Sequence, residues 1–220
     1  MAKPRLLVTG FSSFPGARRN PTEVLVTALD VKRMARRFDI DLAATILPTE
    51  YAAVSDLLPW LWKDVRPDAA IHFGLHGRAR TVRIETRAAN HATPVRPDAA
   101  GKRLATLVIE PRGPLYRRTT LPAEKIVVVL RRAGIPATLS ADAGGYLCNY
   151  ATWVSLMAAG GKKGRAGGLA GFVHVPWPAE ERAPNAPTGR PGWGALALAM
   201  ETVVAAGARA VRMRSQGRAG

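Results

Sequence analysis

The sequence predicts an alternating α/β fold: a three-layer α/β/α sandwich around a mostly parallel, twisted sheet, of the phosphorylase/hydrolase-like kind. Three observations predict it. Short apolar runs of strand length recur at residues 6–9, 42–47, 69–73, 137–140 and 169–175, separated by segments with helical spacing or helix start and stop signals. The run Gly168-Leu169-Ala170-Gly171-Phe172-Val173-His174-Val175-Pro176-Trp177 is apolar almost throughout and ended by proline, as a buried strand leaving a sheet would be. At 220 residues and 47% hydrophobic, the chain is long enough for one well-filled core and a single domain.

Each element follows from local signals. Residues 6–9 read as the first strand. Asn20-Pro21-Thr22-Glu23 is a helix start, with Asn20 as N-cap, proline at N1 and Glu23 at N3, and capping alone would account for Asn20. Residues 42–47 read as a second strand. Val54, Leu57, Leu58, Leu61, Trp62 and Val65 have amphipathic helical spacing, in which Pro59 predicts a kink or a shifted start. Residues 69–73 read as a third parallel strand, and the alternating stretch 81–89 as one arm of an antiparallel excursion. Residues 98–114, rich in turn formers, read as a loop with a short strand at 106–109. Pro122 and Gly134 frame a helix over 123–133. Strands follow at 137–140 and 169–175, with a flexible Gly/Lys loop over 160–168. A final helix over about 193–207 closes a catalytic domain of residues 1–208, and 209–220 reads as a basic tail that frays.

Charge and cysteine usage narrow the function classes. Thirty-two Lys and Arg against 16 Asp and Glu give a formal net charge of +16, which raises a nucleic-acid hypothesis. The arginines are scattered, however, and no zinc-finger, helix-turn-helix or RNP-like pattern surrounds them, so no specific nucleic-acid partner is expected. No apolar run reaches the ~18 residues that span a bilayer, which predicts no membrane partner and a cytoplasmic protein. One cysteine cannot form an internal disulfide, in keeping with a reducing compartment and a free thiol.

That cysteine is the candidate nucleophile. Cys148 lies in Ala143-Gly144-Gly145-Tyr146-Leu147-Cys148-Asn149-Tyr150, where two glycines permit a tight turn directly before a helical pattern. At a helix N-terminus, unpaired N–H groups and the helix dipole favour a thiolate. His174 stands at the end of the buried strand 169–175, and in open α/β sheets the reactive crevice lies beyond the carboxyl ends of the strands. Glu85, on the face opposite Ile84, supplies a carboxylate to orient an imidazole. His72 and His76 are four apart but flank a strand end and Gly74, without the helical H-E-x-x-H pattern of a zinc site.

These residues, together with blocks spread from end to end, resemble pyroglutamyl peptidase I, the cysteine-peptidase family that removes an N-terminal pyroglutamate. The blocks are Leu7-Val8-Thr9-Gly10-Phe11-Ser12-Ser13-Phe14-Pro15-Gly16 with Asn20-Pro21, Leu47-Pro48-Thr49, Gly74, Ile84-Glu85-Thr86-Arg87-Ala88-Ala89-Asn90, Pro97-Asp98, Gly101, the cysteine motif and Gly171-Phe172-Val173-His174-Val175-Pro176. They occur in the family's order and at similar spacings. The resemblance implies Cys148 as nucleophile, His174 as general base and Glu85 as the group that orients it. It further implies that Phe11 and Phe14 flank the lactam ring, that Asn20 helps to read its polar edge, and that Leu75 and Tyr146 lie at the substrate. No cofactor and no metal is implied, the partners are peptides with N-terminal pyroglutamate, and a homo-oligomer, dimer or tetramer, is expected.

Two departures stand out. Where the family commonly has G-Q-x-G-G-R, this chain has Gly74-Leu75-His76-Gly77-Arg78-Ala79, and Val95 stands where the family often has arginine, with Arg96 alongside. Two alternatives therefore stay open: a related cysteine hydrolase acting on another small lactam or amide, and a noncatalytic binding protein that uses its basic surface.

Overall fold

The computed structural model describes residues 2–160, 167–183 and 185–217. Six strands form the central sheet in the order β2-β1-β3-β8-β4-β7. Of these, β1 (Arg5–Phe11), β2 (Asp41–Leu47), β3 (Ala69–Leu75) and β8 (Leu169–Val175) run parallel. The strand β4 (Val82–Glu85) pairs antiparallel with β8, and β7 (Ala137–Ser140) runs parallel to β4. Side-chain alternation divides the strands between two helical layers. Leu6, Val8, Ile71, Phe73, Val173 and Val175 pack in one core with α1 (Pro21–Thr27), α2 (Val31–Phe38), α4 (Ala123–Arg132) and α6 (Trp193–Gln216). Leu7, Phe11, Ala70 and Phe172 pack on the other face with α3 (Tyr51–Asp64) and α5 (Leu147–Ala159). The three-layer α/β/α sandwich is thus present, with two strands reversed.

The first helix begins as its sequence signals. The Asn20 side chain accepts from the Thr22 N–H at 3.1 Å and Pro21 stands at the first helical position. Gly10, on the strand before it, lets helix and sheet approach closely: a Cβ there would lie 2.5 Å from the Thr22 carbonyl oxygen.

Other elements differ from the sequence expectation. The stretch 81–89 is not one excursion arm. It breaks at Thr86, whose N–H donates to the Ser140 carbonyl at 2.7 Å, so that β4 joins the central sheet. There β4 lies antiparallel to β8, while β5 (Arg87–Ala89) pairs antiparallel with β6 (Tyr116–Arg118) in a separate two-stranded sheet, and for β6 the sequence carried no expectation. Residues 106–109 form no strand; Leu107 and Val108 are largely exposed, and the segment is held by the Ala92 N–H to the Leu107 carbonyl at 2.8 Å. The helix α3 runs through Pro59 from Tyr51 to Asp64 as one continuous element.

The basic tail is a correction of a different kind. The last helix continues to Gln216, nine residues past the expected end, because Val211 is buried and Arg212 donates to the Phe38 and Asp39 carbonyls at 2.6 and 2.9 Å. Residues 218–220 lie outside the described residues, as do 161–166 of the Gly/Lys loop. By length and composition α6 is apolar enough to cross a membrane, which the reading of apolar runs had not anticipated. Its apolar stripe, Leu196, Ala199, Met200, Val203, Val204 and Val211, is buried in the core instead.

Candidate active site

The turn before α5 places the cysteine. Gly144 takes a φ of +77°, a conformation that side-chain-bearing residues adopt only under strain, and Tyr146 is the N-cap residue. Cys148 is therefore the second residue of the helix. Tyr146 contributes no side-chain cap hydrogen bond, so no cap side chain claims the first-turn N–H groups. The helix is tied to the sheet by Asn149, wholly buried, whose Oδ1 accepts from the Ala89 N–H and whose Nδ2 donates to the Ala89 and His91 carbonyls, all at 2.8 Å.

Beneath α5, the sheet face presents every second residue. On β8 these are Ala170, Phe172 and His174, on β3 His72 and Gly74, and on β4 Arg83 and Glu85. Register pairs Arg83 with His174, which brings Glu85 to the same end. His174 Nδ1 lies 2.8 Å from Glu85 Oε1, with both side chains buried, and Cys148 is near enough to act on the charge of the imidazole. Since Nδ1 faces the carboxylate, Nε2 is the nitrogen left for the thiol. Histidine and glutamate, 89 positions apart in sequence, are therefore paired near the cysteine.

The electrostatics keep a proton on the imidazole. Burial of His174 lowers its pKa, but the charge and hydrogen bond of Cys148 and those of Glu85 outweigh it and raise the value to about 9. Arg83 Nε stands 3.7 Å from Glu85 Oε1, a second cation balancing the buried carboxylate. His76, from the departing Gly74-Leu75-His76 segment, packs edge-on to His174 with centroids 5.3 Å apart. Burial first, then the positive charge of His174 and Arg83, lowers the His76 pKa, so this second imidazole stays neutral beside the first.

Gly74 gives the thiol its space. A Cβ on it would lie 2.5 Å from Phe172 Cζ and 3.0 Å from Cys148 Sγ, so glycine is required where strand, aromatic ring and thiol converge. Phe172 forms the floor, with its ring 4.9 Å from His174 and 6.2 Å from Phe11. Sequence reasoning missed Phe172 as a site residue, although its two-residue spacing from His174 puts both on one strand face. His72, also on this face, has both ring nitrogens engaged: its Nδ1 is 2.8 Å from Thr9 Oγ1 and its Nε2 2.6 Å from Ser155 Oγ.

The expected substrate-binding residues are distributed unevenly. Phe11 is buried at the end of β1 and reaches the site through Phe172. Phe14 is half-buried in the following loop, its ring folded over Gly16, where a Cβ would lie 2.8 Å from Cε2. Asn20 is buried and occupied: Oδ1 accepts from the Thr22 N–H and hydroxyl, and Nδ2 donates to the Ser12 carbonyl at 3.1 Å. Leu75 ends β3, opposite Val175. Tyr146 lies on the cysteine turn, donating its hydroxyl to the Pro97 carbonyl at 2.9 Å; burial, then Asp98 and Cys148, push its pKa up to about 12. Val95 is 77% exposed, and it is Arg96 whose charge acts on Tyr146.

Comparison with known proteins agrees with this arrangement. The family model described as pyroglutamyl peptidase matches residues 4–216. A pyrrolidone-carboxylate peptidase of Pyrococcus furiosus is 35% identical over 177 residues, covering 80% of this chain and 83% of that one. A pyrrolidone-carboxylate peptidase of Chromobacterium violaceum is 33% identical over 201 residues, 91% of this chain and 88% of its own. Among solved structures, the pyrrolidone carboxyl peptidase from Thermococcus litoralis superposes with a TM-score of 0.82 at 29% identity, covering 92% of both chains. A mutant pyrrolidone carboxyl peptidase from Pyrococcus furiosus gives 0.80 at 30% identity, over 92% of this chain and 97% of the other. With the family model spanning nearly the whole length, the chain belongs to the pyroglutamyl peptidase family.

Proposed function

We propose that the protein is a cysteine exopeptidase that removes N-terminal pyroglutamate from peptides through a thiol acyl-enzyme. The observation that carries this reading is the buried Glu85–His174 pair near Cys148, which stands in the first turn of α5, in a chain of this family. Cys148 Sγ attacks the carbonyl joining pyroglutamate to the next residue. The oxyanion that forms is stabilised by first-turn N–H groups of α5, which no cap side chain occupies. His174 then gives its proton to the departing amine, the C–N bond breaks, and a thioester remains on Cys148. Water, deprotonated by His174, attacks the thioester carbonyl; the C–S bond breaks, pyroglutamate is freed, and Cys148 returns as a thiolate beside the reprotonated imidazole. Glu85 holds the imidazole in register and stabilises its protonated form throughout.

The ring is neutral, small and flat, so apolar walls with a few placed hydrogen-bond partners suit it, and Phe11, Phe172 and the Tyr146 turn supply such walls. The free Cys148 thiol fits a reducing compartment such as the cytoplasm, and a homo-oligomer is the expected assembly.

Hydrolysis of pyroglutamyl and prolyl fluorogenic amides by the purified protein tests the reading. Proline lacks the ring carbonyl and carries a charged amine, so it leaves polar groups unpaired and buries a charge. Cleavage of the pyroglutamyl amide with discrimination of orders of magnitude is expected; equal cleavage, or none of the pyroglutamyl amide, contradicts the proposal. Leu75→Gln belongs in the same assay. It lowers KM if a side-chain amide aids ring recognition, and leaves KM unchanged if backbone groups alone act there.

A further inference from the structure

Arg83 shares a face of β4 with Glu85, and register sets it opposite His174 on β8. Its guanidinium reaches several neighbours at once. Nη2 donates to Ser140 Oγ at 2.6 Å and to the Asp142 carbonyl at 3.3 Å, Nη1 donates to His76 Nε2 at 3.4 Å, and Nε stands 3.7 Å from Glu85 Oε1. That carboxylate oxygen is the one lying 2.8 Å from His174 Nδ1. Asp142 Oδ1 in turn accepts from the Gly144 N–H at 2.9 Å, in the glycine turn that leads to Cys148.

The Nη contacts join the ends of strands and serve the fold; the approach to Glu85 does not. At 3.7 Å Nε makes no hydrogen bond to the carboxylate, and Arg83 Nε and Glu85 Oε2 are both buried without a hydrogen-bond partner among the described residues. A pair of that kind is weak evidence for stability, because the cost of desolvating two charges can exceed what a loose pair returns. It does place a permanent cation beside the acid, since arginine keeps its proton at any working pH.

The proposed reaction has a moment that calls for such a charge. While the imidazole is protonated, Glu85 has a cation at 2.8 Å. Once Nε2 has given its proton to the departing amine, the ring is neutral and the buried carboxylate has lost that partner. His76, the other imidazole of the site, is neutral, and Arg87, beyond the break at Thr86, donates to the Ala141 carbonyl instead. Arg83 is the cation that remains within 4 Å of Glu85 among the described residues.

We infer that Arg83 is a positioning residue for proton delivery: its charge holds Glu85 when His174 gives up its proton, and so eases that transfer. This rests on the proposed thiol mechanism.

Titration of the His174 ring by NMR, in the full chain with Cys148→Ser, tests the inference, since there no thiol titrates with the imidazole. With four histidines in the chain, the signal is identified by its loss in His174→Gln. In Arg83→Gln the titration midpoint should rise by about one pH unit, because the protonated ring has lost a repelling neighbour, and Arg83→Lys should return it to its original value. Ser140→Ala, which loosens the same strand end and leaves the charge in place, should not move the midpoint even if it melts lower. With Cys148 restored, Arg83→Gln should lower kcat for a pyroglutamyl amide by about tenfold with KM unchanged. An unmoved or lower midpoint in Arg83→Gln, no recovery in Arg83→Lys, an equal shift in Ser140→Ala, or an unchanged kcat overturns the assignment. Because the ring is read without turnover, a wild-type protein that cleaves no pyroglutamyl amide while the midpoints move as expected contradicts the proposed function and not the coupling of Arg83 to His174.

Discussion

Acid should destabilise this protein through one core histidine, His72, which takes no part in the chemistry. It is wholly buried, and burial lowers its pKa from 6.5 to about 4. Its neighbours fix the tautomer. The Trp62 indole N–H donates to Ser155 Oγ at 3.0 Å, so the Ser155 hydroxyl is free to donate to His72 Nε2, which leaves the ring proton on Nδ1 for Thr9. This chain of bonds links α3, α5, β3 and β1, and a second ring proton would leave no acceptor for one donor. The unfolded chain takes up that proton near pH 6.5, the folded one only near 4, so the unfolded state binds more protons inside this window. Stability is therefore full above about 6.5 and declines as pH falls toward 4. At 1.36 kcal/mol per pKa unit the loss is about 3 kcal/mol. Urea unfolding of wild type and His72→Gln at several pH values from 7.5 to about 4 measures it. Carboxylate contributions occur in both proteins and cancel in the difference, so the wild-type curve should fall by about 3 kcal/mol more than the variant's. Parallel curves would refute the reasoning, whatever the variant's absolute stability.

Other perturbations act on the site itself. Glu85→Gln should lower kcat by ~10²-fold or more with little change in KM, because the imidazole loses its orienting carboxylate; an unchanged kcat in steady-state assays contradicts that role. The His174 pKa of about 9 predicts activity that persists into mildly alkaline solution and falls as pH rises through that value, when the imidazolium loses the proton it must give to the leaving amine. In Glu85→Gln, which removes one of the groups raising that pKa, the alkaline limb of a kcat profile should move to lower pH; an unmoved limb argues against the pairing. Gly74→Ala should abolish most activity, since the added methyl would lie 2.5 Å from Phe172 and 3.0 Å from the thiol. Near-normal kcat/KM in that variant would mean the thiol does not sit against β3.

Local signals in the chain were reliable where the physics is local. The cap at Asn20, the glycine turn before Cys148 and the proline-ended strand carrying His174 are each written within ten residues. The pairing of Glu85 with His174 is not local: it depends on β4 lying antiparallel beside β8, and the alternation of 81–89 reads equally well as a separate hairpin arm. The break at Thr86 that decides between them is made by Ser140, 54 positions away. The C-terminal extension of α6 was hidden for a similar reason. Arg209 to Gln216 looks basic and exposed until Phe38 and Asp39 are brought alongside to accept from Arg212. Tyr51 illustrates the limit most plainly, since no local signal singles it out. Only the packing shows its ring against Tyr146 and Tyr150, with a buried hydroxyl that has no hydrogen-bond partner among the described residues.

Covalent capture at Cys148 tests the central claim most directly. Incubation with a pyroglutamyl chloromethyl ketone, followed by intact-mass and peptide-mass measurement, reports where the ring delivers its electrophile. With a single cysteine in the chain, any adduct on a thiol is on Cys148, and the peptide masses separate it from an adduct on histidine. The account predicts one adduct per chain, on Cys148, formed in step with loss of pyroglutamyl amidase activity, slowed by pyroglutamate and absent in Cys148→Ser. An adduct elsewhere, or full activity remaining after Cys148 is stoichiometrically modified, contradicts it.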